Sequence, residues 1–159
     1  MATVEVDPST DDDEMVSWWG LVIEGYLATQ DKVMGQIADE HGLAPASFDI
    51  LIRLLRSPDH RMPMTRLARE AALSSGGFTK VADRLVKAGL VRREPCDVDR
   101  RITYARLTDH GLATAVRARG TCAAVLRRIV LEPLGQERAG ALADTMRALR
   151  ETNQDHAAP

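Results

Sequence analysis

The stretch from Met64 to Thr108 constrains the fold more than any other part of the chain. Its first part predicts a helix from about Thr65 to Ala72, with Leu67, Ala68 and Ala71 on one buried face. Ser74 follows as the natural N-cap of a second helix, because its hydroxyl can accept a hydrogen bond from an unpaired backbone N–H. Two helices joined by so short a turn are typical of a helix-turn-helix motif.

The second helix has an apolar face and a small, polar and basic face. The sequence predicts an inward stripe of Phe78, Ala82, Leu85 and Val86. The opposite face carries Gly76, Lys80, Asp83, Arg84 and Lys87. A helix with these two faces is suited to enter the major groove of DNA. Gly89 is expected to end the helix, since a left-handed C-terminal residue is least strained as glycine.

Two β-prone runs follow, Leu90 to Cys96 and Ile102 to Thr108, and the loop between them is DVDRR. They predict a hairpin with two arginines at its tip, and Arg61 to Met64 is expected to add a short third strand. Helix pairs and arginine-tipped turns also occur separately in domains that bind no nucleic acid. Both features in this order favour a DNA-binding module.

The chain ends predict long helices. Apolar residues recur at helical spacing from Glu14 to His41, where Gly42 is the expected C-cap, and this helix would be about 40 Å long. A further helix is predicted from Pro45 to Ser57, with Phe48, Leu51, Ile52 and Leu55 facing inward. After the hairpin, one helix should run from Thr108 to about Glu132 and another from Gln136 to about Glu151, separated by Pro133 and Gly135. The helix from Glu14 to His41 is apolar on two sides, so we expect a partner subunit to cover one of those sides.

The net charge of −2 is unevenly distributed. Residues 1–60 hold 3 basic and 12 acidic side chains, residues 61–106 hold 11 and 5, and residues 107–159 hold 7 and 6. The positive excess therefore lies in the segment that would face phosphate, as expected of a nucleic-acid-binding surface.

The segment SSGGFTKVADRLVKAGLV, the loop DVDRR and the LT-x-x-G pattern at Leu107, Thr108 and Gly111 resemble the multiple-antibiotic-resistance repressor (MarR) family of bacterial regulators. The match is collinear from about Trp18 to Leu149, and its most specific motif is the Asp-x-Arg at Asp99 and Arg101. The resemblance implies a mainly α fold with a small β-hairpin wing. In one intertwined domain, a winged helix-turn-helix region (43–108) would be mounted on a helical dimerisation region (14–42 and 109–152). Residues 1–13 are expected to form an acidic flexible tail.

The resemblance further implies a homodimer that represses transcription by occupying a pseudo-palindromic operator in double-stranded DNA. Lys80, Arg84 and Thr79 would contact bases or phosphates, with Gly76 and Gly77 allowing close backbone approach. Ser74 and Ser75 would lie near a phosphate at the helix N-terminus. Arg101 and Arg100 would enter the minor groove, with Asp99 orienting Arg101.

In that family effectors bind between the dimerisation helices and the DNA-binding region. This implies a small organic effector, phenolic or carboxylate, near Trp18, Trp19, Tyr26, Phe48 and Asp49. The same residues are explained equally well if the tryptophans form dimer core and Asp49 is a surface charge.

Other functional classes find little support in the sequence. We recognise no catalytic motif and no cofactor-binding motif, so we expect neither an enzyme nor a cofactor. No histidine is spaced for a metal site, although Glu24, His41 and His110 could converge on one, and Cys122 on an apolar ridge is best explained as a small buried residue. A thiol- or metal-responsive repressor and a winged-helix protein-interaction module remain the alternatives. No apolar run approaches membrane-spanning length and the N-terminus does not resemble a signal peptide, so we expect a cytoplasmic protein.

Overall fold

The computed structural model describes residues 11–71 and 73–154. Within these ranges the chain forms six α-helices and three short strands, in the following order: α1 (Asp12–His41), α2 (Pro45–Arg56), β1 (Arg61–Pro63), α3 (Met64–Glu70), α4 (Ser75–Lys87), β2 (Val91–Pro95), β3 (Thr103–Leu107), α5 (Asp109–Leu126) and α6 (Glu132–Gln154). A 3₁₀ turn, Pro58–His60, precedes β1, and a π-helical turn, Arg127–Leu131, joins α5 to α6. No helix in the described ranges is both long and apolar enough to cross a membrane.

The strands form an antiparallel sheet in the order β1-β3-β2. β2 and β3 pair from Val91 opposite Leu107 to Pro95 opposite Thr103, and β1 pairs with β3 with Met62 opposite Ala105. The predicted hairpin and the predicted third strand are therefore both confirmed. The segment between Pro95 and Thr103 forms the tip of the wing, and Cys96 N–H donates to the carbonyl of Ile102 across it (2.9 Å).

The core lies where α2 meets the C-terminal half of α1, the helix-turn-helix, the sheet and α5. Its fully buried large side chains are Ile37, Ile50, Leu51, Leu54, Leu67 and Leu85. The buried stripe of α2 was predicted wrongly in part, since Ile50 and Leu54 are buried while Ile52 is only half-buried. The four buried residues of α2, Ser47, Ile50, Leu51 and Leu54, follow one another at i, i+3, i+4 and i+7, so the buried face is a single stripe rotated away from the predicted one. Val86 of α4, also predicted to face inward, is 36% exposed.

The N-terminal half of α1 contacts little of its own chain. α1 begins at Asp12, two residues before the predicted start, with three acidic residues in its first turn that favour a helix N-terminus. The rest of the predicted tail, residues 1–10, lies outside the described residues. Only Val33 and Ile37 of α1 are buried, whereas Trp18, Trp19 and Tyr26 are half or more exposed. Leu142 and Leu149 of α6 are also exposed, so two apolar helix surfaces face outward in the single chain.

α5 is held closely against the turn that follows α4. Thr108 caps α5 by accepting a hydrogen bond from Gly111 N–H (2.9 Å), as predicted, and its hydroxyl donates to the Gly89 carbonyl (2.6 Å). Thr108 N–H donates to the Leu90 carbonyl (3.1 Å). A Cβ placed on Gly111 would lie 1.8 Å from the Leu90 carbonyl oxygen, so only glycine fits there. We call this set of contacts the α4–α5 junction.

The C-terminal helices differ from the prediction in their boundaries. α5 ends at Leu126 instead of continuing to about Glu132, because the next five residues form the π-helical turn. The predicted break is present at Gly135, which has φ 74° and ψ 166° inside α6. A positive φ favours glycine, and the chain therefore changes direction at that residue rather than at Pro133.

Candidate nucleic-acid interface

Helix α4 separates its side chains as a groove-binding helix requires. Phe78, Ala82 and Leu85 are 2 to 5% exposed and fix the helix to the core. The opposite side exposes Thr79, Lys80, Asp83, Arg84 and Lys87. α4 therefore presents a polar and basic surface on a helix whose position is set by its buried face.

Two glycines lie at the N-terminus of α4, and contacts inside the chain account for only one of them, Gly77. The hydroxyl of Ser74 accepts a hydrogen bond from Gly77 N–H (3.2 Å), which is the predicted N-cap. A Cβ on Gly77 would lie 3.0 Å from that hydroxyl, so glycine makes room for the cap. Gly76 has nothing within 4 Å of the corresponding position and is exposed. Ser75 is the first residue of α4.

The wing tip is organised by Asp99. Its Oδ1 accepts a hydrogen bond from the backbone N–H of Arg101 (3.0 Å) and lies 3.4 Å from Nε of the same residue. Ile102 N–H donates to the Asp99 carbonyl (2.9 Å), which closes the turn. The Arg101 side chain is 93% exposed, and Arg100 beside it is exposed as well. The tip thus projects two guanidinium groups into solvent, and the Nε atom of the Arg101 group lies beside the Asp99 carboxylate.

Ion pairs neutralise part of the positive charge of this region. Arg93 of β2 donates to Asp83 of α4 at 2.6 Å, which links the helix to the wing. Arg92 and Arg106 both pair with Glu94. Desolvation raises the pKa of Glu94, but the hydrogen bonds from these two arginines outweigh it and hold that pKa below its ordinary value.

Cations without an acidic partner lie on α4 and at the wing tip. In the described part of the chain, four cations of these two elements have no carboxylate within 4.0 Å, namely Lys80, Arg84, Lys87 and Arg100. The sequence placed Asp83 on this surface but did not reveal its partner Arg93, because a separation of ten residues across a turn leaves no periodic signal. α4 and the wing tip together supply unpaired cations on two neighbouring elements, which suits the negatively charged backbone of a nucleic acid.

Comparison with known proteins agrees with this arrangement. A model of the MarR family matches residues 41–102, from the end of α1 into the wing. The HTH-type transcriptional regulator MhqR of Bacillus subtilis (strain 168) is 33% identical over 79 residues, 50% of this chain and 53% of MhqR. Sco3205, a MarR family transcriptional regulator from Streptomyces coelicolor solved in complex with DNA, is 29% identical, with a TM-score of 0.78 over 90% of this chain and 92% of Sco3205. The helix-turn-helix and the first part of the wing thus match the MarR family, and the fold is similar to that of a MarR family regulator.

The predicted MarR resemblance and fold class are thereby confirmed. A further relative, the HTH-type transcriptional repressor YetL of Bacillus subtilis (strain 168), is 33% identical over 97 residues, 57% of this chain and 58% of YetL. The chain thus spans about half to three fifths of the length of the curated relatives it matches. The range that matches the family model, 41–102, covers the helix-turn-helix and most of the wing.

The predicted effector residues do not lie in one groove. Tyr26 lines a groove of about 440 Å³ between α1 and α6, whose lining includes neither Phe48 nor Asp49. Phe48 packs against the core, and Asp49 accepts a hydrogen bond from Arg53 on its own helix (2.7 Å). The surface-charge explanation of Asp49 therefore accounts for its contacts, and an effector near these residues stays a prediction.

The two cysteines lie on different elements, Cys96 at the wing and Cys122 on α5, whereas His41 and His110 line one cavity together with Glu40. Cys96 and Cys122 are both free thiols, and burial raises the pKa of Cys122 above its ordinary value despite the opposing effect of Arg56. His41 Nε2 lies 2.9 Å from the Thr121 hydroxyl. Across residues 11–71 and 73–154, no group of three or more His, Cys, Asp or Glu side chains is placed to hold a metal ion.

Proposed function

We propose that this chain is a sequence-specific DNA-binding transcriptional regulator, and that it acts as a repressor. The observation that carries the proposal is the surface shared by α4 and the wing tip. There Lys80, Arg84 and Arg100 have no acidic partner in the described ranges, while the buried face of α4 fixes the helix. The DNA complex of Sco3205 and the description of YetL as a repressor support it. Since such a regulator must reach the chromosome, we also propose that the protein is cytoplasmic.

In this proposal α4 is the recognition helix. Lys80 and Arg84 reach guanine acceptors or phosphates in the major groove, and Thr79 hydrogen-bonds nearby. No contact inside the chain requires a glycine at Gly76, because an added Cβ would have nothing within 4 Å. Its lack of a side chain instead allows the helix backbone to approach the DNA closely. Ser74, Ser75 and Gly77 form the helix N-terminus, where backbone N–H groups favour a phosphate.

The wing supplies the second contact. Arg101 and Arg100 enter the minor groove, where the attraction of a guanidinium depends more on groove width than on base edges. Asp99 orients Arg101, because its carboxylate accepts a hydrogen bond from the backbone N–H of Arg101 and lies beside the Nε atom of the same side chain. We assign it the role of a positioning residue, since an anion does not itself attract DNA.

We further propose that the protein is a homodimer whose interface covers the exposed apolar residues of α1 and α6. A monomer would leave Trp18, Trp19 and Leu142 in water, which is unusual for so large an apolar surface. The dimer would have a mass of about 35 kDa, twice the chain's 17.4 kDa, and would pair two recognition helices with two operator half-sites about 10 base pairs apart. Sedimentation as a monomer at micromolar concentration would contradict this assembly.

The test of DNA binding begins by selecting an operator from random duplexes with the purified protein, followed by fluorescence anisotropy. Between 50 and 200 mM salt we expect affinity to fall by about 10³-fold or more, as for six or more phosphate contacts. Lys80→Ala and Arg84→Ala should each cost about 1 to 3 kcal/mol and relax preference at particular base pairs. Arg119→Ala on α5 is the matched control and should bind as the unmodified protein does. Absence of any selected sequence, with salt-insensitive binding, would refute the proposal.

A small organic effector, phenolic or carboxylate, is the proposed signal that relieves repression. It would act by favouring an arrangement of the two α4 helices that no longer matches the operator.

A further inference from the structure

A cavity of about 310 Å³ lies between the end of α2, strand β1 and helix α3, on elements other than α4 and the wing tip. It shares no lining residue with the groove beside Tyr26. The charged residues of its lining are four arginines and one glutamate, namely Arg53, Arg56, Arg61, Arg66 and Glu70. A concave surface with such an excess of one charge concentrates the electrostatic potential and attracts ions of the opposite sign.

Two of these arginines, Arg56 and Arg61, have no carboxylate within 4.0 Å in the described ranges. The Arg61 guanidinium lies 4.9 Å from the centroid of the Tyr104 ring, which orients the cation without neutralising it. Arg61 also stands directly opposite Arg106 across β1 and β3, where like charges destabilise a sheet. Arg106 is paired with Glu94 (3.3 Å), whereas Arg61 has no such partner, so an anion in the cavity would offset its charge.

The other two arginines are oriented by carboxylates that leave most of their donors free. One oxygen of Glu70 accepts a hydrogen bond from Arg66 Nε (2.6 Å), and the other lies 3.7 Å from Arg53 Nη1. Arg53 Nε also donates to Asp49 (2.7 Å). Since a guanidinium has five N–H groups, both arginines keep donors for a bound anion.

The backbone carbonyls at the end of α2 already have partners of their own. The Leu54 carbonyl accepts hydrogen bonds from the Ser57 N–H (3.1 Å) and the Ser57 hydroxyl (2.8 Å), and the Leu55 carbonyl lies 3.1 Å from His60 Nδ1. The negative end of a helix repels an anion chiefly through unpaired carbonyls. At this end of α2 that repulsion is reduced, and the arginines determine the sign of the site.

We propose that this cavity binds a phosphate group, held mainly by Arg56 and Arg61, with further donors from Arg53 and Arg66. A single guanidinium satisfies both oxygens of a carboxylate. Four guanidinium groups around one cavity instead suit a group with more oxygens and a charge close to two, as phosphate has. The phosphate group has two possible sources, the backbone of DNA beside the operator and a free phosphorylated compound.

Calorimetric titration of the full chain with pyrophosphate at constant ionic strength tests the site, with acetate as the singly charged probe. For a ligand this small we expect a Kd of about 1 mM or lower, and acetate should bind at least about tenfold more weakly. Arg56→Gln and Arg61→Gln should each weaken pyrophosphate binding about tenfold or more. Arg69→Gln is the matched control, because it makes the same charge change on α3 outside the cavity lining, and it should leave the Kd unchanged.

Absence of pyrophosphate binding up to about 10 mM, or equal binding of pyrophosphate and acetate, would overturn the proposal. Equal losses in Arg69→Gln and in the two cavity variants would do the same, because pyrophosphate would then respond to net charge alone. Arg56 is exposed, so Arg56→Gln keeps the site testable even where loss of the Tyr104 contact destabilises Arg61→Gln.

The selected operator then identifies the source of the phosphate group. If DNA occupies the cavity, Arg56→Gln should weaken operator binding and reduce the salt dependence by about one phosphate contact for each half-site. If a free compound is the ligand, Arg56→Gln should bind the operator as the unmodified protein does, and the operator complex should still bind pyrophosphate. Only this step rests on the proposed function.

Failure of this proposal and failure of the proposed function are distinguishable. The pyrophosphate titration contains no DNA, so a protein that binds no operator can still bind pyrophosphate in the cavity. Conversely, an operator-binding protein that does not bind pyrophosphate would retain the proposed function and lose this site.

Discussion

Replacing Gly111 by alanine places one methyl group where the α4–α5 junction has no room for it. The new Cβ would lie 1.8 Å from the Leu90 carbonyl oxygen, and an ordinary contact begins at 3.4 Å, so the two backbones must separate by about 1.6 Å. A shift of that size breaks two hydrogen bonds, the one from Thr108 N–H to the Leu90 carbonyl and the one from the Thr108 hydroxyl to the Gly89 carbonyl. Overpacking costs about 1 to 3 kcal/mol, and two lost hydrogen bonds add about 1 kcal/mol each. We therefore expect Gly111→Ala to lower the free energy of unfolding by about 3 to 5 kcal/mol.

Urea denaturation followed by circular dichroism measures this loss, at one protein concentration for all variants because a dimer's stability depends on it. Gly35→Ala is the matched control, since Gly35 lies in α1 with nothing within 4 Å of an added Cβ. It should gain about 0.5 to 1 kcal/mol, because alanine restricts the unfolded chain and favours helix. If the two variants had the same stability, the close packing of α5 on the Leu90 carbonyl would be refuted.

Three further changes have expected outcomes. Arg101→Ala should weaken operator binding without altering base preference in the major groove, and Asp99→Ala should do so in part; tighter binding by Asp99→Ala would show that Asp99 is only a surface charge. Because burial raises its pKa, Cys122 should react with iodoacetamide at pH 8 more slowly in the folded than in the unfolded protein, as peptide mapping would reveal. Thr121→Val should raise the pKa of Glu40 toward the ordinary 4.5, measured by carbon NMR of its carboxylate. In the unmodified protein, the stability that ionised Glu40 contributes should be fully present above pH 4.5, the ordinary pKa of a glutamate. It should be lost as the pH falls through the lower pKa of Glu40 in the folded protein.

The DNA-binding region was largely predictable because its signals are local. The Ser74 cap, the apolar spacing of α4 and the β-prone runs on either side of DVDRR each specify structure within a few residues. The Asp99 contact to Arg101 is also local, spanning two residues. Contacts between distant segments left no such pattern. Nothing in the sequence around Gly111 indicates that Leu90 packs against it. In the same way, nothing around Asp83 indicates that Arg93 is its ion-pair partner.

Periodicity also failed to identify what covers each helix. In α1 the apolar spacing continues through both halves, yet within one chain only Val33 and Ile37 are buried. Spacing shows which side chains share a face and is silent on the neighbour that packs there. In α2, apolar residues lie on two adjacent stripes, and the structure buries the one that carries Ile50 and Leu54, whereas the prediction chose the one that carries Ile52 and Leu55. The burial of the Thr114 hydroxyl without a hydrogen-bond partner in the described ranges was not predicted either, because it depends on how α5 packs against other elements.

The link between Arg93 and Asp83 has a consequence for what kind of DNA the proposed regulator could recognise. That 2.6 Å contact, together with the short turn at Gly89, ties the wing to α4, so movement of one relative to the other is restrained. A duplex would then have to offer a major groove and an adjacent minor groove at one set distance and angle. The helical twist of the operator would therefore contribute to specificity. An operator with the right bases but one added base pair between the two contacts would bind more weakly.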